Sequence, residues 1–62
     1  MIVNGIASSF EGTVEQLLAR EGITPRGIAV AINGEIISKS AWNTTALQDS
    51  DVIEIVTAAA GG

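Results

Sequence analysis

Apolar residues recur in this chain with two different periods, and turn residues separate the stretches that carry them. Met1 to Asn4 begins extended, with Met1 and Val3 on one face and Ile2 and Asn4 on the other. Asn4-Gly5 then marks a tight hairpin turn, because a type I′ turn needs positive φ at both central residues. The returning strand is predicted over Ile6 to Phe10, and Phe10, the sole Phe, is assigned to core packing. The period then changes. Val14, Leu17 and Leu18 stand at i, i+3 and i+4, which gives one apolar stripe on a helix. Thr13 and Gln16 fit a capping box at its start, Glu15 and Arg20 suit the two ends of its dipole, and Gly22 suits the left-handed residue after its last turn. Pro25 lies just beyond, where it cannot extend the helix.

The period of two returns at Ile28 to Ile32, with Ile28, Val30 and Ile32 facing one way and Ala29 and Ala31 the other. Asn33-Gly34 is a second hairpin signal, and Glu35, Ile36 and Ile37 form a short return strand. Residues 38–47 lack a clean period. Ser40-Ala41-Trp42 can start a single helical turn, and Trp42 and Leu47 are expected to plug the end of the core. Asp49-Ser50-Asp51 is a turn. Val52 to Val56 is the last strand, with Ile53 and Ile55 opposite Val52, Glu54 and Val56. Two hairpins around one helix predict an α+β fold: a mixed four- to five-stranded sheet packed on one helix. The first and last strands are expected to pair in parallel at its centre. This ββαββ plan is the β-grasp. Val3, Leu17, Leu18, Val30, Ile32, Ile53 and Ile55 are the expected core, each contributing roughly 1.5–3 kcal/mol when buried.

Sixty-two residues leave room for one domain and no deep cleft. The chain has no Cys, His or Tyr, so a disulfide framework, a thiolate metal site and imidazole catalysis are all excluded. Its Ser, Thr and Lys39 side chains lack an evident activating partner, which argues against an independent enzyme. Seven acids against three bases give a net charge of −4. That is the opposite of a nucleic-acid footprint. No apolar run reaches membrane-spanning length and no signal-peptide pattern is present, so the expected location is cytoplasmic.

What remains is the end of the sequence. After Val56 it reads Thr57-Ala58-Ala59-Ala60-Gly61-Gly62. The organisation expected is a folded domain over 1–57 and a flexible tail over 58–62, small, uncharged and largely extended. Two glycines without Cβ can pass a narrow channel and take φ values closed to other residues. A carboxylate at Gly62 could then enter another protein's nucleotide pocket and be activated as an acyl-adenylate, with Gly61 supplying flexibility and channel access. Ala58, Ala59 and Ala60 would be the spacer, held through backbone hydrogen bonds. Ala29, Ala31, Glu54 and Val56 alternate away from the predicted core and are the candidates for partner binding on the sheet.

The sequence resembles the thiamine-biosynthesis sulfur carrier (ThiS) family, which is ubiquitin-like. The likeness rests on Met1-Ile2-Val3-Asn4-Gly5, on Gly12-Thr13-Val14-Glu15-Gln16-Leu17-Leu18, and on Val30-Ala31-Ile32-Asn33-Gly34-Glu35-Ile36-Ile37 with Trp42 five residues on. Asp49-Ser50-Asp51, Ile53-Glu54-Ile55-Val56 and Gly61-Gly62 complete it. It departs at Ser50, where the family commonly has Gly, and in the small residues at 58–60. The resemblance implies that the chain is no enzyme and binds no cofactor of its own. An E1-like adenylyltransferase would use ATP to activate Gly62. Sulfur from a donor protein such as a cysteine desulfurase would convert it to a thiocarboxylate, and thiazole synthase would receive the sulfur. A molybdopterin-synthase sulfur carrier shares the fold and the Gly-Gly end. The same features also suit a ubiquitin-like modifier or a non-catalytic interaction module.

Overall fold

A computed structural model describes residues 1–57 of the chain. Two hairpins bracket one helix. The strands are β1 (Ile2–Val3), β2 (Ile6–Ala7), β3 (Ile28–Ile32), β4 (Glu35–Ile37) and β5 (Val52–Thr57), and the helix α1 covers Val14–Glu21. They form one five-stranded sheet in the order β2-β1-β5-β3-β4. β1 and β5 run parallel, with Ile2 beside Val52 and Val3 beside Ile53. Every other neighbour is antiparallel. The last strand is therefore the central one, and the fold is the expected ubiquitin-like β-grasp.

Local chemistry sets the boundaries. Asn4 and Asn33 take φ of 51° and 52°, and each is followed by a positive-φ glycine. Both Asn-Gly pairs thus make the turns their side chains favour. At the helix start the Thr13 hydroxyl accepts from the Gln16 N–H at 3.3 Å, and Gln16 Oε1 accepts from the Thr13 N–H at 2.9 Å. Gly22 closes the helix in the left-handed conformation, with Ile23 donating back to the Leu18 carbonyl.

Helix α1 lays Val14, Leu17 and Leu18 on one face of the sheet against Val30 and Ile53, and all five are buried. Trp42 and Leu47 close the end of this core, as their positions in the sequence predict. Val3, Ile32 and Ile55 are half-buried and pack against this core rather than forming its centre. The unperiodic segment holds one short 3₁₀ turn at Lys39–Ala41 and then braces the helix start. Val14 donates to the Thr45 carbonyl, Glu15 to that of Trp42, and Leu47 to that of Gly12.

Strand β2 corrects the sequence reading. It ends at Ala7, not Phe10. Arg20 accounts for the early exit: its guanidinium lies 4.7 Å from the Phe10 ring centroid, and Nη1 donates to the Ser9 carbonyl at 2.8 Å. Ser8 still exchanges two hydrogen bonds with Met1, its N–H donating at 2.9 Å and its carbonyl accepting from the Met1 amino group at 3.1 Å, and it is Ser9 and Phe10 that Arg20 holds beside the last turn of the helix. Phe10 still packs against the core, from its edge.

Candidate functional site

Among the described residues the helix covers one face of the sheet and leaves the other without a partner. Strand alternation fixes what the open face presents. Val56 stands beside Ala29, and Glu54 beside Ala31. Ala31 in turn neighbours Ile36 on β4. On the far side Val52 stands beside Ile2. All four sheet residues proposed for partner binding, Ala29, Ala31, Glu54 and Val56, therefore lie together on this face. Three large apolar residues join them: Ile36 is 68% exposed, Val52 44% and Ile2 42%.

These exposed apolar residues share one sheet face, which makes it the candidate for partner contact. Glu54 is the one charged strand residue on it among the described residues, and it makes no ion pair there. With Val52 and Val56 two residues away on its own strand and Ala31 beside it on β3, Glu54 gives this mostly apolar face one charged reference. Ile2, Ile36 and Val52 were not among the residues singled out from sequence for binding. Alternation carries the signal for two of them, since Val52 shares the register of Glu54 and Ile2 that of Asn4. Ile36 needed the strand pairing, because Ile36 and Ile37 are adjacent and only the register with β3 decides which one turns outward.

Strand β5 runs through the middle of this surface and carries the chain to Thr57, the last described residue. Ala58, Ala59, Ala60, Gly61 and Gly62, the remaining proposed site residues, lie outside the described residues. Elsewhere the described chain offers little chemistry of its own. No group of three or more His, Cys, Asp or Glu side chains is placed to hold a metal among the described residues. No described helix is long and apolar enough to cross a membrane. The hydroxyls serve structure: Thr13 caps the helix, and Thr44 and Thr45 both donate to the Ala41 carbonyl.

Comparison with known proteins places this architecture. The model of the ThiS family matches residues 1–62. A protein of Paramagnetospirillum magneticum described as a thiazole synthase is 39% identical over 64 residues. That match takes in the whole of this chain, which spans 20% of the length of that relative. The crystal structure of a thiamine biosynthesis protein (ThiS) from Geobacter metallireducens superposes with a TM-score of 0.85 at 27% identity, covering 98% of this chain and 96% of the other. A solution structure of a thiamine biosynthesis protein from the same organism gives a TM-score of 0.73 at 29% identity, covering 98% and 85%.

Proposed function

The chain belongs to the ThiS family of thiamine-biosynthesis sulfur carriers, and on that premise we propose that it carries sulfur on the carboxylate of Gly62. One observation carries the reading: the family match runs through Gly61 and Gly62, which follow in sequence the central strand that ends at Thr57. A carboxylate does not react with a sulfur nucleophile until its oxygen is made a leaving group. In the proposed sequence a Gly62 oxygen attacks the α-phosphorus of ATP in the pocket of an E1-like adenylyltransferase, and pyrophosphate departs. The outer sulfur of a persulfide on a donor protein such as a cysteine desulfurase then displaces AMP to form an acyl disulfide, and a thiol reductant cleaves its S–S bond to leave the thiocarboxylate on Gly62. The chain supplies the acyl group and the docking surface; the partners supply the catalysis.

The open sheet face is the proposed platform for both the adenylyltransferase and thiazole synthase. Its apolar residues favour burial against a partner, and about 25 cal/mol is gained for each Å² of apolar surface removed from water. The likeness to a thiazole synthase supports that enzyme as the sulfur acceptor. Gly61 would let the last peptide units thread a narrow channel, and residues 58–60 would span the distance from the sheet.

Intact mass spectrometry after incubation with the adenylyltransferase, ATP and a sulfur source tests this directly. The expected product carries one sulfur in place of one oxygen at Gly62. A chain lacking Gly62 should keep its fold and lose ATP–pyrophosphate exchange. Unchanged exchange in that variant defeats the proposal, and a ladder of lysine conjugates would assign the chain to protein modification instead.

A further inference from the structure

Strand β5 outruns its parallel neighbour. β1 has two residues and β5 has six. Val52 and Ile53 pair with Ile2 and Val3, and the Asn4 N–H reaches the Ile53 carbonyl at 2.9 Å. One step further a side chain takes over from the strand: Asn4 Oδ1 accepts the Ile55 N–H at 2.7 Å. Beyond that point the β1 side of β5 has no strand neighbour among the described residues.

The direction of the next backbone groups follows from alternation. Asn33 N donates to the Val52 carbonyl, so the even-numbered residues of β5 turn their backbone groups toward β3. Ile53 and Ile55 turn theirs toward β1. Thr57 shares their phase and points its N–H the same way, as does the Ile55 carbonyl. Neither has a hydrogen-bond partner among the described residues. Below this edge lies a groove of about 190 Å³ whose apolar lining includes Val3, Ile6, Ile23 and Ile55, with Glu21 also on its wall. Ile6 is 71% exposed, the highest value among the large apolar residues.

We propose that the free edge of β5 at Ile55–Thr57 receives an extended segment of the adenylating partner by strand addition. This rests on the carrier reading above and adds a contact to it that is distinct from the open sheet face. The occupant must offer a donor to the Ile55 carbonyl, an acceptor to the Thr57 N–H and an apolar side chain to the groove. An extended peptide offers all three at once, whereas an apolar small molecule offers only the last. The edge also ends where residues 58–62 begin, so a segment paired here would set the direction in which they leave the domain. A second copy of this chain fits less well. Pairing two such edges would bring together two chains of net charge −4, whereas a partner segment carries no such like-charge repulsion of its own.

Thr57→Pro removes the N–H that faces the open edge and spares the bonds between β5 and β3, which Thr57 does not make. Thr57→Val keeps the N–H and the side-chain shape. The experiment measures ATP–pyrophosphate exchange against carrier concentration with the adenylyltransferase. It is paired with amide hydrogen exchange on the unaltered chain, free and enzyme-bound. The half-saturating concentration should rise about tenfold for Thr57→Pro, as expected for one lost hydrogen bond, and stay within about twofold for Thr57→Val. The Thr57 amide should exchange freely in the isolated chain and become protected in the complex. Wild-type exchange activity with no added protection at Thr57 overturns strand addition and leaves the carrier reading standing, and that readout holds even if Thr57→Pro does not fold. No exchange activity with the unaltered chain overturns both. A dimer of the free chain with Thr57 already protected assigns the edge to a second copy and overturns the partner.

Discussion

Asn33 and Val52 exchange two hydrogen bonds across the sheet: the Asn33 N–H donates to the Val52 carbonyl at 2.8 Å, and the Val52 N–H donates to Asn33 Oδ1 at 3.0 Å. The same carboxamide turns its Nδ2 to Asp51 Oδ1 at 3.1 Å. Asn4 does the corresponding work on the other side of β5, accepting from Ile55. The two hairpin asparagines therefore do more than tolerate positive φ. Each extends the pairing of the central strand past the end of its own strand.

Replacing Asn33 separates these two contributions. Asn33→Gly keeps the left-handed backbone and loses the side-chain bonds, while Asn33→Ala loses both. Asn33→Ala should cost about 1–3 kcal/mol, from left-handed strain and two lost side-chain hydrogen bonds at an exposed position. Urea unfolding should rank wild type above Asn33→Gly and Asn33→Gly above Asn33→Ala. Equal midpoints for all three chains would remove the carboxamide from the account.

Gly12 is held at φ +148°, and a Cβ built there meets Gln16 Oε1 at 2.5 Å and Phe10 Cε2 at 2.9 Å. Gly12→Ala should therefore push the Gln16 side chain out of the capping box and shift the Phe10 ring from under Arg20. The expected loss exceeds that of Thr13→Ala, which removes one cap hydroxyl and costs about 1 kcal/mol. Thermal unfolding of the two variants orders them. A Gly12→Ala chain as stable as wild type would show that the cap yields without penalty.

Most of the fold could be read along the chain because its signals are local. The capping box, the left-handed glycine and the two Asn-Gly turns act within a few residues, and the period of two in β3 and β5 shows which side chains turn from the helix. What escaped depends on partners distant in sequence. Phe10 reads as part of a strand until Arg20 is placed over it, and residues 38–47 show no period because their backbone serves the start of α1 instead of a strand. On the open face, alternation places Ala29, Ala31, Glu54 and Val56 together. Ile36 needed the β3–β4 register, and the open edge of β5 needed the lengths of two strands that never meet in sequence.

Trp42 tests whether the core end is separable from the proposed docking face. It is 4% exposed, and its Nε1–H donates to the Ile37 carbonyl at 3.1 Å. Trp42→Phe removes the donor and part of the volume, so unfolding should become easier by about 1–3 kcal/mol. The residue lies on the helix side of the sheet, away from Ile2, Ile36 and Val52. Adenylyltransferase binding, measured by titration calorimetry below the unfolding temperature, should stay within about twofold of wild type. A large loss of affinity in a folded Trp42→Phe chain would extend the docking surface to the covered face.

Glu54 decides whether the open face binds through apolar contact alone. It lies between Val52 and Val56 on its strand and beside Ala31 on β3, on the open face, without an ion pair among the described residues. Covering that face buries the charge, and an unpaired buried charge is costly, so a partner that binds here should set a cation against Glu54. Glu54→Gln keeps the shape and removes the charge; Glu54→Lys reverses it. Since the position is exposed, both should change folding stability by no more than about 0.5 kcal/mol. Binding should weaken about tenfold for Glu54→Gln and further for Glu54→Lys, mainly through faster dissociation, as for a charge pair sequestered at an interface. The wild-type affinity should also fall more steeply with added salt than that of Glu54→Gln. If Glu54→Gln instead binds more tightly, Glu54 opposes docking, and the partner's face is apolar at that point.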